Sequence, residues 1–218
     1  MMLLSAAALS LALDSVPPAR AADDHSHHAA AAKKADEAKP SAVRVRYDDS
    51  VLTDQNGKPW KFKSEVVADR IVVMDFVYTT CTTICPVLTT LLVQVQDGLE
   101  PAAREDVRLV TVSVDPARDT PARMKEYGEK FGVKPGWLWL TGPTGRVNEV
   151  LKGFGAYAPN FEDHPPVVLV GDGRSGQWTR FYGFVEPKQV LAKVQEMRAA
   201  RGNGGHAGHD GHAAGHKH

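Results

Sequence analysis

The sequence has no net charge, no long apolar segment and almost no cysteine. Lysine plus arginine and aspartate plus glutamate both total 26 in 218 residues, and two cysteines are present. Without an excess of either charge, no general field draws the protein to nucleic acid or to an anionic membrane surface. No segment reaches the roughly 20 consecutive apolar residues that a membrane-spanning helix needs. The sequence therefore predicts no nucleic-acid partner and no membrane span in the mature chain, and its function must rest on local chemistry.

The two ends of the chain differ in composition from its middle. Residues 1–13 form a short apolar run, and a small-x-small site follows at Ala19-Arg20-Ala21. This pattern predicts a signal peptide over residues 1–21 and a periplasmic mature protein. Residues 22–40 are rich in Ala, Lys, Asp and His, and residues 201–218 are almost wholly Gly, Ala and His. Both segments are predicted to be disordered, and the histidine-rich tail either collects metal or only solvates the chain.

Between residues 41 and 200 the hydrophobic pattern alternates between strand and helix. It predicts strands over 71–78, 107–114, 137–140, 167–170 and 178–184, and helices from Pro86 and over 121–131, 144–154 and 187–200. Asn56-Gly57 predicts a tight hairpin before the first of these strands, and Gly171-Asp172-Gly173 predicts a turn between the last two. A β-α-β unit followed by β-β-α is the layout of a thioredoxin-like fold. The sequence thus predicts one α/β domain over 41–200, a thioredoxin-like fold with an N-terminal β-hairpin and disordered tails.

Cys81 and Cys85 lie between a predicted buried strand and the start of a helix. Residues four apart share one face of a helix, so the two sulfurs should be close. Unpaired amides and the helix dipole favour the thiolate there, and a thiolate is both a nucleophile and a soft-metal ligand. A structural disulfide closing so short a loop would add little stability. Two inert thiols would be hard to keep reduced outside the cytosol. The pair is therefore predicted to be redox-active or metal-binding.

His164 is the one histidine inside the predicted domain. It precedes Pro165-Pro166 at the start of a strand, where it is either a solvated loop side chain or a ligand that faces the cysteine loop. Two thiolates and one imidazole suit Cu(I), which accepts few ligands and prefers sulfur, whereas structural Zn²⁺ takes four ligands. If His164 is a ligand, copper is the favoured metal.

Residues 78–86, Tyr-Thr-Thr-Cys-Thr-Thr-Ile-Cys-Pro, resemble the signature of the Sco/SenC (PrrC-like) family of copper chaperones. Residues 113–121, Ser-Val-Asp-Pro-Ala-Arg-Asp-Thr-Pro, resemble a second block of that family. Leu140-Thr141-Gly142 resembles a third block, and Asp163-His164 resembles the segment that carries the histidine ligand. The resemblance implies a thioredoxin-like fold that binds one copper ion, as Cu(I) or Cu(II), through Cys81, Cys85 and His164.

The resemblance also implies a role and a partner. The protein would be a metallochaperone that delivers copper for the dinuclear copper centre of cytochrome c oxidase, with the copper-bearing oxidase subunit or another periplasmic copper chaperone as partner. Some relatives are assigned to thiol-disulfide exchange with the same partners, and in that case Cys81 and Cys85 would be the catalytic redox pair. A third hypothesis is copper storage in the histidine-rich tails, with the folded domain secondary.

Overall fold

A computed structural model describes the fold of residues 40–204. The predicted signal peptide, the linker up to residue 39 and the histidine-rich tail beyond residue 204 lie outside the described residues, as do eight of the nine histidines. The predicted domain boundaries at residues 41 and 200 stay predictions.

Eight β-strands and four α-helices form within the described residues. The strands are β1 (Ser41–Val43), β2 (Val51–Thr53), β3 (Pro59–Lys61), β4 (Ile71–Val77), β5 (Val107–Ser113), β6 (Trp137–Leu140), β7 (Val167–Asp172) and β8 (Trp178–Tyr182). The helices are α1 (Ile84–Gly98), α2 (Pro121–Lys130), α3 (Thr144–Phe154) and α4 (Pro187–Gly204). None of these four helices is both long and apolar enough to cross a membrane.

Six of the strands form one mixed sheet in the order β1-β8-β7-β4-β5-β6. β4, β5 and β6 run parallel, while β7 is antiparallel to both β4 and β8. The parallel strands are joined by crossovers that contain α1 and α2, and β7, β8 and α4 complete the predicted β-β-α unit. The α/β fold class predicted from the sequence is confirmed.

Strand β4 is buried on both faces, which explains why its sequence is an almost unbroken apolar run. Its side chains alternate between two core clusters that lie on opposite faces of the sheet. One cluster joins Ile71, Val73 and Val77 to α1 and α4 through Leu88, Leu92, Val190 and Val194. The other joins Val72, Met74 and Phe76 to the hairpin and α3 through Leu52, Val147, Leu151 and Phe154. The loop that leaves β4 is thus anchored to a rigid central strand.

The predicted hairpin at Asn56-Gly57 is present, with β2 and β3 antiparallel. Gly57 has φ of +84°, a left-handed conformation that glycine adopts without steric cost. The Asp54 carboxylate accepts the backbone N–H groups of Asn56 and Lys58 at 2.8 and 3.0 Å and the Trp60 indole N–H at 2.9 Å. The turn is therefore fixed both by backbone conformation and by one buried carboxylate.

Several details differ from the predicted pattern. Gly171 and Asp172 belong to β7 and not to a turn, because Gly171 pairs with Trp178 and Asp172 pairs with Ile71. A Cβ at Gly171 would lie 2.1 Å from the Trp178 ring, so this glycine allows close packing and does not reverse the chain. β8 ends at Tyr182 instead of residue 184. β1, which pairs with β8, was not predicted, because three residues are too few to show a period.

Gly153 of α3 packs closely against the backbone that precedes β2, so a substitution there tests this contact. The Arg46 N–H donates to the Gly153 carbonyl at 3.1 Å, and a Cβ on Gly153 would lie 1.7 Å from the Arg46 carbonyl oxygen. Gly153→Ala should therefore lower the free energy of unfolding by roughly 2–3 kcal/mol in urea denaturation. Gly145→Ala in the same helix is the matched control, because a Cβ added there would have no atom within 4 Å. This substitution should be neutral or should stabilise the protein by up to about 1 kcal/mol. Equal effects of the two substitutions would contradict this packing.

Candidate metal and redox site

The two cysteines lie where β4 passes into α1. Cys81 is in the connecting loop and Cys85 is in the first turn of α1, and they are 5% and 0% exposed. The first amides of a helix have no partner within the helix. One of them, the Cys85 N–H, donates to the Cys81 sulfur at 3.4 Å. The predicted convergence of the two cysteines at a helix N-terminus is confirmed.

The two thiols have different acidities. Burial alone would raise the pKa of Cys81, but hydrogen bonds from the Cys85 thiol and from the N–H groups of Cys85 and Thr83 outweigh it and lower the pKa to about 7. Burial raises the pKa of Cys85, and its bond to the Cys81 sulfur raises it further. Near pH 7 the Cys81 thiolate is therefore well populated, and it accepts a hydrogen bond from a Cys85 thiol that stays protonated.

Tyr78 joins the cysteine loop to the segment that carries His164. Burial and then a hydrogen bond with Cys81 raise the pKa of Tyr78 to about 12, so its phenol stays protonated. The Tyr78 ring packs edge-on against Phe161, with centroids 5.0 Å apart, and against the His164 imidazole at 5.8 Å. Tyr78 therefore contacts both the cysteine loop and the His164 imidazole.

His164 is 5% exposed, so it is not a solvated loop side chain. Its Nδ1 lies 2.8 Å from the Phe161 carbonyl oxygen, and its Nε2 lies 3.3 Å from the Phe76 carbonyl oxygen. A neutral imidazole carries one N–H, and the shorter contact assigns it to Nδ1. Nε2 then presents a lone pair next to a carbonyl oxygen with no proton between them. A histidine whose Nδ1–H is bonded to a backbone carbonyl is oriented as metal-binding histidines commonly are.

Cys81, Cys85 and His164 do not form a closed metal cage. Within residues 40–204 no three His, Cys, Asp or Glu side chains lie close enough together to hold a metal ion. The fold brings the two sulfurs together and packs the imidazole against the ring of Tyr78, outside any such cluster. The three-ligand set thus stays a prediction.

Asp75 is a buried carboxyl group on the cysteine side of the sheet, and it was not among the site residues predicted from the sequence. It is 0% exposed; its Oδ1 accepts the Thr111 hydroxyl at 2.5 Å, and its Oδ2 has no partner. Burial raises the pKa of Asp75 to about 7. Asp75 in turn contributes to the raised pKa of Cys85. The signal in the sequence was the one acidic residue in an apolar strand.

The fold is thioredoxin-like, and its site is a thiolate and thiol pair at a strand-to-helix junction with a buried histidine nearby. These groups are suited to thiol or metal chemistry. The SCO1/SenC family model matches residues 37–198. The chain therefore belongs to the SCO1/SenC family, and the resemblance carried by its motifs is confirmed.

Individual relatives agree with this assignment. The chain is 30% identical over 163 residues to the SCO1 protein homolog of Bacillus subtilis (strain 168), which covers 72% of this chain and 84% of that protein. It is 27% identical to Bradyrhizobium japonicum ScoI with copper bound, with a TM-score of 0.58 over 71% of this chain and 99% of the other. It is 25% identical to BsSco, a Sco-family cytochrome c oxidase assembly protein with a disulfide switch. The TM-score is 0.61, and the match covers 73% of this chain and 96% of BsSco.

The unequal thiols predict an order of reaction. In the reduced protein iodoacetamide should label Cys81 first, with a rate that rises through a midpoint near pH 7, because the thiolate is the nucleophile. Cys85 should be labelled only at much higher pH or after unfolding. Mass spectrometry of the peptides across a pH series measures both rates. Faster labelling of Cys85 at neutral pH would contradict the assignment.

The raised pKa of Asp75 predicts a pH-dependent stability. Above about pH 4 the unfolded chain loses this proton while the folded protein keeps it until about pH 7. The free energy of unfolding should therefore fall by roughly 4 kcal/mol across this interval and then level off. Asp75→Asn removes the titration, so its urea-unfolding stability should fall less between pH 4 and pH 7 than that of the wild type. Parallel curves for the two proteins would contradict a neutral Asp75.

Proposed function

We propose that this protein is a periplasmic metallochaperone that carries one copper ion toward the dinuclear copper centre of cytochrome c oxidase. The observation that carries the proposal is the Cys81 thiolate beside Cys85 at the start of α1, in a chain of the SCO1/SenC family. Copper is here the cargo and not a resident cofactor. The copper-bound relative ScoI supports the choice of metal.

The chemistry of the donor set fits a soft ion with few ligands. Two cysteine sulfurs suit Cu(I), and the first helical amide and the neighbouring N–H groups already stabilise negative charge on Cys81. His164 is proposed as the third ligand through Nε2, because the Phe161 carbonyl holds the proton on Nδ1. Binding of the metal through Nε2 would need that nitrogen to leave the Phe76 carbonyl, and Tyr78 is the side chain that contacts both the imidazole and Cys81.

The position of the pair suits transfer of the metal to another protein. Cys81 is buried, but the threonines on either side of it, Thr80 and Thr82, are exposed. The sulfurs therefore lie just beneath a surface loop, where thiolates of a partner could replace them one at a time. The proposed partner is the copper-bearing oxidase subunit or another periplasmic copper chaperone. The periplasmic location is proposed from the signal peptide predicted over residues 1–21.

A second candidate function, thiol-disulfide exchange, is favoured by the unequal acidity of the two cysteines. The Cys81 thiolate would attack one sulfur of a partner disulfide, and the partner's other sulfur would leave as a thiolate. Cys85, on losing its proton, would then attack the Cys81 sulfur and release the partner's first thiolate. The partner gains two electrons and this protein is left with a Cys81–Cys85 disulfide. The disulfide switch of BsSco supports this alternative.

Anaerobic Cu(I) titration against a chromophoric competitor tests the proposal. The reduced full chain and a variant lacking residues 205–218 should both bind one tight Cu(I). In the shortened chain Cys81→Ser and Cys85→Ser should each weaken binding by at least about 100-fold, and His164→Ala by about tenfold.

Three other outcomes would contradict the proposal. Loss of tight binding with the tail would mean storage by its histidines. Unchanged binding in Cys81→Ser would exclude the sulfur site. No competitive binding in either chain, with a mixed disulfide trapped by Cys85→Ser, would establish thiol-disulfide exchange instead.

A further inference from the structure

Asp119 lies in the loop between β5 and α2 and is 1% exposed. Its Oδ1 accepts the Thr79 hydroxyl at 2.6 Å and the Thr79 backbone N–H at 3.1 Å. Its Oδ2 accepts the Ser113 hydroxyl at 2.6 Å. One buried carboxylate thus ties a residue 40 positions earlier in the chain to the end of β5.

Thr79 is two residues before Cys81 and belongs to the same turn. The Cys81 N–H donates to the Tyr78 carbonyl at 3.0 Å. The backbone conformation at Thr79 therefore determines the position of Cys81. From that position the Cys81 sulfur accepts the Cys85 N–H. The Cys81 N–H bond stays within the turn. Among the described residues, Asp119 is therefore the only group outside the turn that is hydrogen-bonded to the backbone of residues 79–81.

Ser113 fixes the carboxylate in turn. Its hydroxyl donates to Asp119 and accepts the Asp115 N–H at 3.0 Å, while Asp115 pairs with Arg118 at 2.9 Å. Burial of an ionisable carboxyl group is costly unless hydrogen bonds compensate for lost water. Here burial raises the pKa of Asp119 while the bonds from Ser113 and Thr79 oppose that rise. The second block of the SCO1/SenC resemblance thus forms a rigid support on which the cysteine loop rests.

We infer that Asp119 is a positioning residue for the cysteine site: its hydrogen bonds to Thr79 hold the loop so that the Cys81 sulfur stays at the start of α1. Asp119 touches neither sulfur and acts only through Thr79. The expected effect of Asp119 on Cu(I) affinity rests on the proposed function, whereas its expected effect on the Cys81 thiolate does not.

The chain offers a control for general loss of stability. Asp54 is likewise buried, at 4% exposure, and its carboxylate also accepts three hydrogen bonds, but all of them lie in the hairpin. Asp54→Ala and Asp119→Ala each remove one buried carboxylate with its bonds, and only the second releases the cysteine loop. Thr79→Val is a milder change that deletes the hydroxyl bond to Asp119 and keeps the backbone bond.

Three quantities are measured on the reduced full chain and its variants: thermal unfolding, ultraviolet thiolate absorbance at pH 7, and Cu(I) affinity against a competitor. Asp119→Ala should weaken Cu(I) binding by about tenfold, as loss of a group that orients metal ligands commonly does, and should at least halve the thiolate absorbance. Thr79→Val should change both in the same direction by about two- to threefold. Asp54→Ala should lower the unfolding temperature and leave the other two quantities at wild-type values.

A lowered unfolding temperature in Asp119→Ala, with wild-type thiolate absorbance and Cu(I) affinity, would overturn the inference and leave Asp119 a purely structural residue. If Asp119→Ala does not fold, Thr79→Val decides, and wild-type behaviour of that variant overturns the inference. If the wild type itself binds no copper, the proposed function fails. The thiolate absorbance still decides the role of Asp119.

Discussion

The site depends on one hydrogen bond, from the first-turn amide of Cys85 to the sulfur of Cys81. This contact exists because a helix begins within a few residues of the end of a fully buried strand, and its unpaired amides face the loop between them. Together with the hydrogen bond from the Cys85 thiol it lowers the pKa of Cys81, while burial raises the pKa of Cys85. The same asymmetry serves two chemistries, because a thiolate can both donate to a soft metal and attack a disulfide.

The surrounding fold holds this contact in place from three sides. β4, buried on both faces, fixes the start of the loop, and Leu88 and Leu92 of α1 fix its end in the core. Asp119 holds the middle of the loop through Thr79. The third proposed ligand is held separately, since the His164 Nδ1–H donates to the Phe161 carbonyl and the imidazole packs against Tyr78. The structure therefore describes a sulfur pair that is already formed and an imidazole that does not complete a three-ligand cluster with it.

The sequence predicted most of the fold because its strands and helices carry strong periodic patterns. The buried strand before Cys81, the helix after it and the Asn56-Gly57 turn are all present. β1 was not predicted because a three-residue strand is too short to show a period. The end of β7 was predicted as a turn because Gly171, which packs under the Trp178 ring, is a residue type common in turns. The roles of Asp75 and Asp119 could not be predicted, since each depends on contacts 36 or 40 residues away in the chain. For His164, family resemblance supplied a role that spacing alone could not.

X-ray absorption spectroscopy at the copper edge, on Cu(I)-loaded protein lacking residues 205–218, would show whether Cys81, Cys85 and His164 hold the copper, because it counts the ligand atoms around the metal. We expect two sulfur neighbours and one nitrogen neighbour, with the nitrogen lost in His164→Ala and one sulfur lost in Cys81→Ser. A first shell of nitrogen and oxygen atoms alone would contradict it. That result would mean that Cys81 and Cys85 do not hold the copper.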